Sequence, residues 1–218
     1  MKKKLNIKRF VFNPFQVNTY ILSDSSGRCI IIDPGCSNPS EELEILSFLE
    51  ENDLQPLHVL LTHGHLDHVC GTGLFYKHFD LQPALHPADF FLYETIASQS
   101  EVFSFPVPEM PPVKALDEGP VRAGDITLEI IPLPGHSPGG VAFYATRQKS
   151  LFSGDILFRG SIGRSDLPGG DYNRLMESIQ IDILERLDEK VKIFPGHGPE
   201  TTIGHEARTN PFLDFSIQ

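Results

Sequence analysis

The segment THGHLDH, residues 62–68, guides the interpretation of the whole chain, because it places His63, His65, Asp67 and His68 within six residues. It follows the continuous apolar run PLHVLLT, which predicts a buried strand, and precedes GTGLFYKHF, which is typical of a helix. The segment therefore lies in a predicted strand-to-helix loop. Given nine histidines in 218 residues, the pattern H-x-H-x-D-H arises by chance in about one such chain in a thousand. A polar loop that caps the next helix is the alternative interpretation.

Three further candidate ligands stand alone in the sequence, and each follows an apolar strand: His136 in LPGHSPGG, Asp155 in FSGDILF and His197 in FPGHGPE. Taken singly, a histidine in a turn rich in glycine and proline is more often structural than functional. Sites are usually assembled where strands give way to loops, however, and THGHLDH already supplies a cluster of ligands. We therefore predict that these residues bind metal together with that cluster.

The number and type of these residues predict two metal ions. Imidazole and carboxylate groups suit zinc, iron or manganese, and seven ligands are too many for one tetrahedral zinc. In an extended loop, side chains two positions apart point the same way and can hold one ion. The predicted ligands are His63, His65 and His136 for the first ion, Asp67, His68 and His197 for the second, and Asp155 as the bridge.

A pair of divalent ions predicts hydrolysis. Metal coordination lowers the pKa of water from 15.7 to about 7, and two ions can hold the resulting hydroxide while they bind a substrate oxygen. As ligands, Asp67 and Asp155 are predicted to orient this bridging hydroxide. Their charges reduce the positive charge of the centre without cancelling it, so the centre can stabilise an oxyanion.

The first half of the chain predicts strands followed by helices. Three short strands precede a helix in which Pro39 suits the first turn and Leu43, Leu46 and Leu49 recur at helical spacing. Residues 87–103 predict another helix. The proline-rich segment FPVPEMPPVKALDEG predicts a long loop, which is a candidate rim of a site.

The second half repeats this order. Strands are predicted for ITLEIIPLPG, GGVAFYAT, SLFSGDIL and KVKIFPGHG, and a helix for DYNRLMESIQIDILERL, where Leu175, Ile179 and Ile183 form one stripe. The repeat suggests two similar β-rich halves whose sheets pack together with helices outside. No linker divides the chain, so we predict a single domain over residues 1–218.

Composition excludes several classes of function. Eighteen Lys and Arg against 29 Asp and Glu leave a net charge of −11, which disfavours nucleic-acid and anionic-membrane partners. The three N-terminal lysines resemble a signal peptide, but polar and basic residues interrupt the apolar stretch behind them. The three cysteines lack a CxxC pair, which argues against a disulfide framework. We expect a cytoplasmic protein in which Cys70, although close to the motif, is a core residue.

The motifs THGHLDH, GHSPGG, SGD and PGHG resemble those of the metallo-β-lactamase superfamily, in the same order and over nearly the whole chain. Asp33-Pro34-Gly35 matches an early strand-turn signature of that family. The resemblance implies an α/β fold of four layers, an αββα sandwich with a dinuclear metal site between two sheets. His68 as a second-ion ligand and Asp155 as the bridge are similar to glyoxalase II, or hydroxyacylglutathione hydrolase. The segment DILFRGSIGRSDLPGGDYNRLMESI, residues 155–179, is especially similar to short relatives of that enzyme.

This resemblance implies hydrolysis of a small thioester, such as an S-(2-hydroxyacyl)glutathione. It also implies two divalent metal ions as cofactors, with Zn²⁺ as the first candidate and iron or manganese as alternatives. Arg164 stands where longer relatives carry a lysine that meets glutathione, so it is the implied substrate-binding residue. Two departures concern glutathione. The sequence continues for 21 residues after His197, without the C-terminal helical domain of long glyoxalases, and it has Gly198 and Pro199 where they carry a tyrosine. The resemblance therefore implies thioester hydrolysis more directly than glutathione recognition.

Two other functions remain as alternatives. One is a persulfide dioxygenase of the same superfamily, with a single iron on His63, His136 and Asp155. The other is a noncatalytic domain stabilised by metal, although a closed structural zinc site needs only four ligands. Asp33 is predicted to form a turn, with the orientation of a metal-binding histidine as its alternative role.

Overall fold

The computed structural model describes residues 5–213, so the lysines that resemble a signal peptide lie outside the described residues. The chain divides into two compact units, one ending at Thr127 and the other beginning at Leu128. Within residues 5–213, the structure contains no helix with the length and apolarity that crossing a membrane requires.

The first unit is built on a six-stranded sheet with its strands in chain order. These are β1 (Asn6–Phe12), β2 (Val17–Ser23), β3 (Arg28–Ile32), β4 (Gln55–Leu60), β5 (Pro83–Leu85) and β6 (Lys114–Ala115), and β7 (Val121–Ala123) comes later in the unit. The helices are α1 (Pro39–Glu51), α2 (Leu66–Val69), α3 (Thr72–Phe79), α4 (Phe90–Glu94) and α5 (Ile96–Val102). The first three strands pair antiparallel, whereas β3, β4, β5 and β6 run parallel. The segment THGHLDH therefore follows a central strand, β4.

Helix α1 confirms the prediction that was made from its first turn. Pro39 occupies the start of the helix, and the side chain of Asn38 accepts hydrogen bonds from the backbone N–H groups of Ser40 and Glu41. These bonds satisfy two of the N–H groups that a helix leaves without an internal partner. Of the predicted leucine repeat, Leu49 is 2% exposed and packs in the core of the unit, whereas Leu43 is 65% exposed.

The prediction of one continuous helix over residues 87–103 is wrong, because the structure divides this segment into three short helical pieces. The structure contains a 3₁₀ turn at Pro87–Asp89, followed by α4 and α5. The hydroxyl of Thr95 donates to the carbonyls of Phe91 and Leu92. Such local bonds compete with the helical ladder, which explains the interruption between α4 and α5. The proline-rich segment is irregular as predicted, except that β6 lies within it.

The second unit contains the strands β14, β13, β10, β9 and β8, which lie side by side in that order. The strands are β8 (Ile126–Pro132), β9 (Val141–Ala145), β10 (Ser150–Gly154), β11 (Leu157–Phe158), β12 (Ser161–Ile162), β13 (Lys192–Pro195) and β14 (Thr201–Thr202). The predicted long helix consists of α6 (Tyr172–Glu177) and a π-helix at Ser178–Glu185, and α7 (Ile203–Thr209) follows β14. Leu175, Ile179 and Ile183 are fully buried, which confirms the predicted stripe.

A buried carboxylate fixes the loops of this unit. Glu206 accepts hydrogen bonds from the backbone of Gly160 at 2.8 Å and from the side-chain amide of Asn210 at 2.9 Å, and also from the hydroxyl of Thr201. Asn210 in turn donates to the carbonyl of Ser161. The β11–β12 hairpin is therefore held in place by α7 and by the residue that follows it.

The turn before His136 requires glycine. Gly135 has a φ of +135°, and a Cβ atom there would lie 2.2 Å from the backbone nitrogen of Leu175. We expect Gly135→Ala to lower the free energy of unfolding by about 3 kcal/mol or more, because overpacking adds to the backbone strain. Gly160→Ala is the matched control, since Gly160 has a φ of +70° but no atom within 4 Å of the added Cβ. It should cost about 1 kcal/mol. Chemical denaturation measures both, and equal losses would contradict the steric explanation.

Candidate metal centre

The loop between β4 and α2 gathers three imidazole rings. The ring centroids of His63 and His65 are 4.7 Å apart, and those of His63 and His68 are 4.1 Å apart. All three side chains are buried. His65 has an extended backbone and precedes the first turn of α2, so the start of this helix presents Asp67 and His68.

Asp33 and Thr62 orient two of these rings. One carboxylate oxygen of Asp33 accepts hydrogen bonds from Nδ1 of His68 at 3.0 Å and from the hydroxyl of Thr62 at 2.7 Å. Because this hydroxyl donates to Asp33, it accepts from Nδ1 of His63 at 3.0 Å. Both rings therefore carry a proton on Nδ1, and Nε2 is the nitrogen that can ligate a metal. Asp33 is thus more than a turn residue, and Thr62 is a positioning residue that the sequence did not reveal.

Asp67 and His68 have the spacing of two ligands on one ion. The carboxylate oxygen Oδ2 of Asp67 lies 3.5 Å from Nε2 of His68. Two atoms that are each about 2.1 Å from a tetrahedral ion are separated by about 3.4 Å. The distance is longer than that of a strong hydrogen bond and suits a shared metal.

The second unit places one carboxylate between two imidazoles. Asp155 follows β10, His197 follows β13, and His136 lies in the loop after β8. The oxygen Oδ2 of Asp155 is 3.4 Å from Nε2 of His197 and 3.8 Å from Nε2 of His136. One carboxylate is thus shared between two histidines, which is the arrangement expected of a bridging ligand.

Arg164 orients His136 through its backbone carbonyl, a role that the sequence did not predict. Its backbone carbonyl accepts a hydrogen bond from Nδ1 of His136 at 2.7 Å, which directs Nε2 of the ring toward Asp155. Its guanidinium makes two bonds of 2.7 Å to Asp166 and lies on the surface. The hydrogen bond from Arg164 lowers the pKa of Asp166 to about 2, so the two groups remain oppositely charged at neutral pH.

The donor set fits divalent metal ions. Each of the seven predicted ligands belongs to a group of His and Asp side chains that could hold an ion. Imidazole nitrogens and carboxylate oxygens suit zinc, iron and manganese, so the donors do not select one of these metals. Cys70 is outside the set: its thiol donates to the carbonyl of Gly35 at 3.1 Å, and burial raises its pKa well above the usual value. Its predicted place in the core is confirmed.

We expect Asp33→Asn to weaken metal binding about 10- to 100-fold, because an amide has one acceptor oxygen and cannot replace both carboxylate oxygens, one of which accepts from the backbone of Thr62 and the other from the ring of His68. Asp80→Asn is the matched control, since Asp80 shares the left-handed backbone conformation of Asp33 but is exposed and caps α3. Competition with a chromophoric chelator measures both affinities. Unchanged affinity in Asp33→Asn would show that the carboxylate is not needed to orient the ligands.

Comparisons with known proteins agree with this geometry. The model of the metallo-beta-lactamase superfamily matches residues 12–197. The chain is 38% identical over 214 residues to hydroxyacylglutathione hydrolase GloC of Haemophilus influenzae, a match that covers 96% of this chain and 99% of that protein.

Two solved structures are also similar. The B3 metallo-beta-lactamase BLEG-1 is 36% identical, with a TM-score of 0.88 and coverage of 96% of this chain and 100% of its own. TTHA1623, in a di-iron-bound form, is 41% identical, with a TM-score of 0.85 and coverage of 94% and 100%.

A mixed α/β fold with these donors defines a metal-dependent hydrolase. The chain belongs to the metallo-beta-lactamase superfamily. The family and the fold class predicted from the sequence are therefore confirmed.

Proposed function

We propose that this chain hydrolyses a small thioester at a dinuclear metal centre, with an S-(2-hydroxyacyl)glutathione as the first candidate substrate. The observation that carries the proposal is the shared carboxylate of Asp155, which lies between His136 and His197 in a chain 38% identical to a hydroxyacylglutathione hydrolase. The proposed ligands are His63, His65, Asp67, His68, His136, Asp155 and His197. The proposed ions are two Zn²⁺, with iron or manganese accepted by the same donors.

When bound, the two ions supply Lewis acidity, which activates water and polarises the thioester carbonyl. Asp67 and Asp155 orient the attacking water through their carboxylates. Asp33 and the carbonyl of Arg164 hold the imidazoles in the tautomer that ligation requires. Because these donors are fixed before the substrate arrives, little reorganisation is needed as negative charge develops on the carbonyl oxygen.

The same proposal treats both units as one functional domain over residues 1–218, because the family model spans them. The net charge of −11 supports a small-molecule substrate over nucleic acid. The three cysteines are free thiols, which supports a cytoplasmic location.

We expect zinc-loaded protein to hydrolyse S-D-lactoylglutathione and to lose this activity after chelation. Asp155→Ala should lower turnover at least about a hundredfold and reduce the metal content, because it removes the shared carboxylate. Asp182→Ala is the matched control, since Asp182 is a partly exposed residue of the π-helix that belongs to none of the groups of candidate ligands. Loss of thioester absorbance and metal analysis measure the two effects.

Normal activity in Asp155→Ala would contradict the proposed bridge. Metal-dependent oxygen uptake with glutathione persulfide, without thioester hydrolysis, would replace the hydrolase by a dioxygenase. A holoprotein that is stabilised by metal but inactive on all thioesters would indicate a binding domain.

Arg164 is the proposed contact for the thiol part of the substrate. We expect Arg164→Ala to raise KM severalfold with little change in kcat, because the bond to His136 comes from the backbone and survives the substitution. Arg159→Ala is the matched control, since Arg159 is exposed and lies in the turn of the β11–β12 hairpin, shortly before Arg164. A decrease in kcat with constant KM would contradict a role confined to binding.

A further inference from the structure

Two side chains from the segment that carries α4 and α5 bond to the loop between β4 and α2. The carboxylate of Asp89 accepts a hydrogen bond from the backbone N–H of Gly64 at 3.0 Å. The side-chain carbonyl of Gln99 accepts from the backbone N–H of Leu66, also at 3.0 Å. Gly64 and Leu66 are the two neighbours of His65 in the chain. The backbone is therefore fixed on both sides of this proposed ligand.

Asp89 directs its carboxylate to this loop and not to its own helix. It directly precedes α4 and is 0% exposed. An aspartate at this position usually accepts from the first N–H groups of the helix that follows. Within the described residues, the side chain of Asp89 makes no such bond to α4. Because a buried carboxylate is costly unless hydrogen bonds replace its hydration, the bond to Gly64 indicates that this group stabilises the loop.

Gln99 acts as the cap of α2 from outside that helix. His65 directly precedes α2, and its side chain makes no capping hydrogen bond in the part of the chain that the structure describes. Leu66 begins the helix, so its N–H has no partner within the helix, and Gln99 accepts from it. The other end of the same amide, Nε2, donates to the carbonyl of Leu92 at 2.7 Å. One side chain thus bonds α2 to α4, and the imidazole of His65 is not needed as a cap.

Close packing accompanies these bonds. A Cβ atom on Gly64 would lie 2.9 Å from the backbone oxygen of Asp89 and 2.9 Å from Cβ of Leu92, so only glycine allows this approach. One hydrophobic cluster joins α2 to α4 and α5, and it includes Leu66, Val69, Tyr93 and Ile96. The loop therefore lies against a packed surface, and the two hydrogen bonds fix its position there.

We propose that Asp89 and Gln99 are positioning residues for His65, and that they thereby set the affinity of the first of the two proposed metal ions. This inference rests on the proposed metal centre and not on the identity of the substrate. Partners outside the ligand set orient ligand side chains and typically change metal affinity about 10- to 100-fold when they are removed. Here the two partners act on the backbone beside the ligand.

The inference distinguishes these residues from Asp33. Asp33 orients proposed ligands of both ions, because it bonds to the ring of His68 and, through Thr62, acts on the ring of His63. The bonds of the two positioning residues lie beside His65, which is a proposed ligand of the first ion alone. Loss of either bond should therefore weaken one ion more than the other.

The first experiment measures the affinities of both ions by competition between Zn²⁺-loaded protein and a chromophoric chelator. We expect Asp89→Ala to weaken one ion at least about tenfold and to change the other little. At a free Zn²⁺ concentration at which the wild type holds two ions, the variant should hold about one. Glu94→Ala is the matched control, because Glu94 is an exposed carboxylate of α4, and it should hold two.

The absorption spectrum of the Co²⁺-substituted protein gives a second readout. The visible bands of Co²⁺ report the geometry of its ligands, so a variant that is only less stable keeps the wild-type spectrum once it is folded and loaded. We expect Asp89→Ala and Gln99→Ala to change the bands of one of the two ions. Gln82→Ala is the matched control for the amide, because Gln82 is exposed and lies outside the helices.

The conservative variant Asp89→Asn separates hydrogen bonding from charge. It keeps one acceptor oxygen and removes the negative charge. We expect it to recover part of the affinity that Asp89→Ala loses and to shift the Co²⁺ spectrum back toward that of the wild type. Equal losses in the two variants would assign the effect to charge and overturn the positioning role.

The outcomes separate this inference from the proposed function. Wild-type affinity for both ions in Asp89→Ala and Gln99→Ala overturns the inference and leaves the metal centre intact, and so does an equal weakening of both ions. If the wild type binds no metal, the proposed function and the inference are both overturned. If Asp89→Ala does not fold, the affinities and the spectrum of Gln99→Ala decide. None of these readouts requires turnover, so a failure of thioester hydrolysis leaves them unaffected.

Discussion

The loop that carries the proposed ligands His63 and His68 depends on hydrogen bonds to the buried carboxylate of Asp33. Asp33 is 1% exposed and accepts from the backbone and hydroxyl of Thr62 and from the ring of His68. A buried carboxylate is costly unless such bonds replace its lost hydration. Its own backbone nitrogen donates to Leu60, and its carbonyl accepts from Thr19. One residue therefore joins three strands to the loop that carries the histidines.

In the second unit, a hydrogen bond between two backbone segments positions the proposed ligands. Gly196 donates to the carbonyl of Gly154 at 2.8 Å, which brings the segments after β10 and β13 together. Asp155 and His197, the proposed ligands, lie directly after these two glycines. Close approach of the backbone at the strand ends is thus what brings the two side chains within 3.4 Å of each other.

Side chains from two other segments of the first unit hold the loop of residues 63–68 in place. This loop supplies four of the seven proposed ligands, and its backbone bonds to the side chains of Asn13 and Gln99. The amide of Asn13 donates to the carbonyl of Asp67, and the side-chain carbonyl of Gln99 accepts from the backbone of Leu66. A substitution that displaces this loop should therefore affect the proposed metal binding.

The sequence by itself determined the seven candidate ligands, most of the long strands and helices, and the family. These features depend on residue type and on spacing over a few positions, which local patterns record. Only the tertiary structure decided that Asp33 and Thr62 orient His63 and His68, and that the carbonyl of Arg164 orients His136. The sequence predicted the wrong continuity for residues 87–103, because the hydroxyl of Thr95 bonds to its own helix. Contacts between distant segments depend on how the chain packs, and a backbone carbonyl acts as a partner whatever its side chain, so local patterns do not record them.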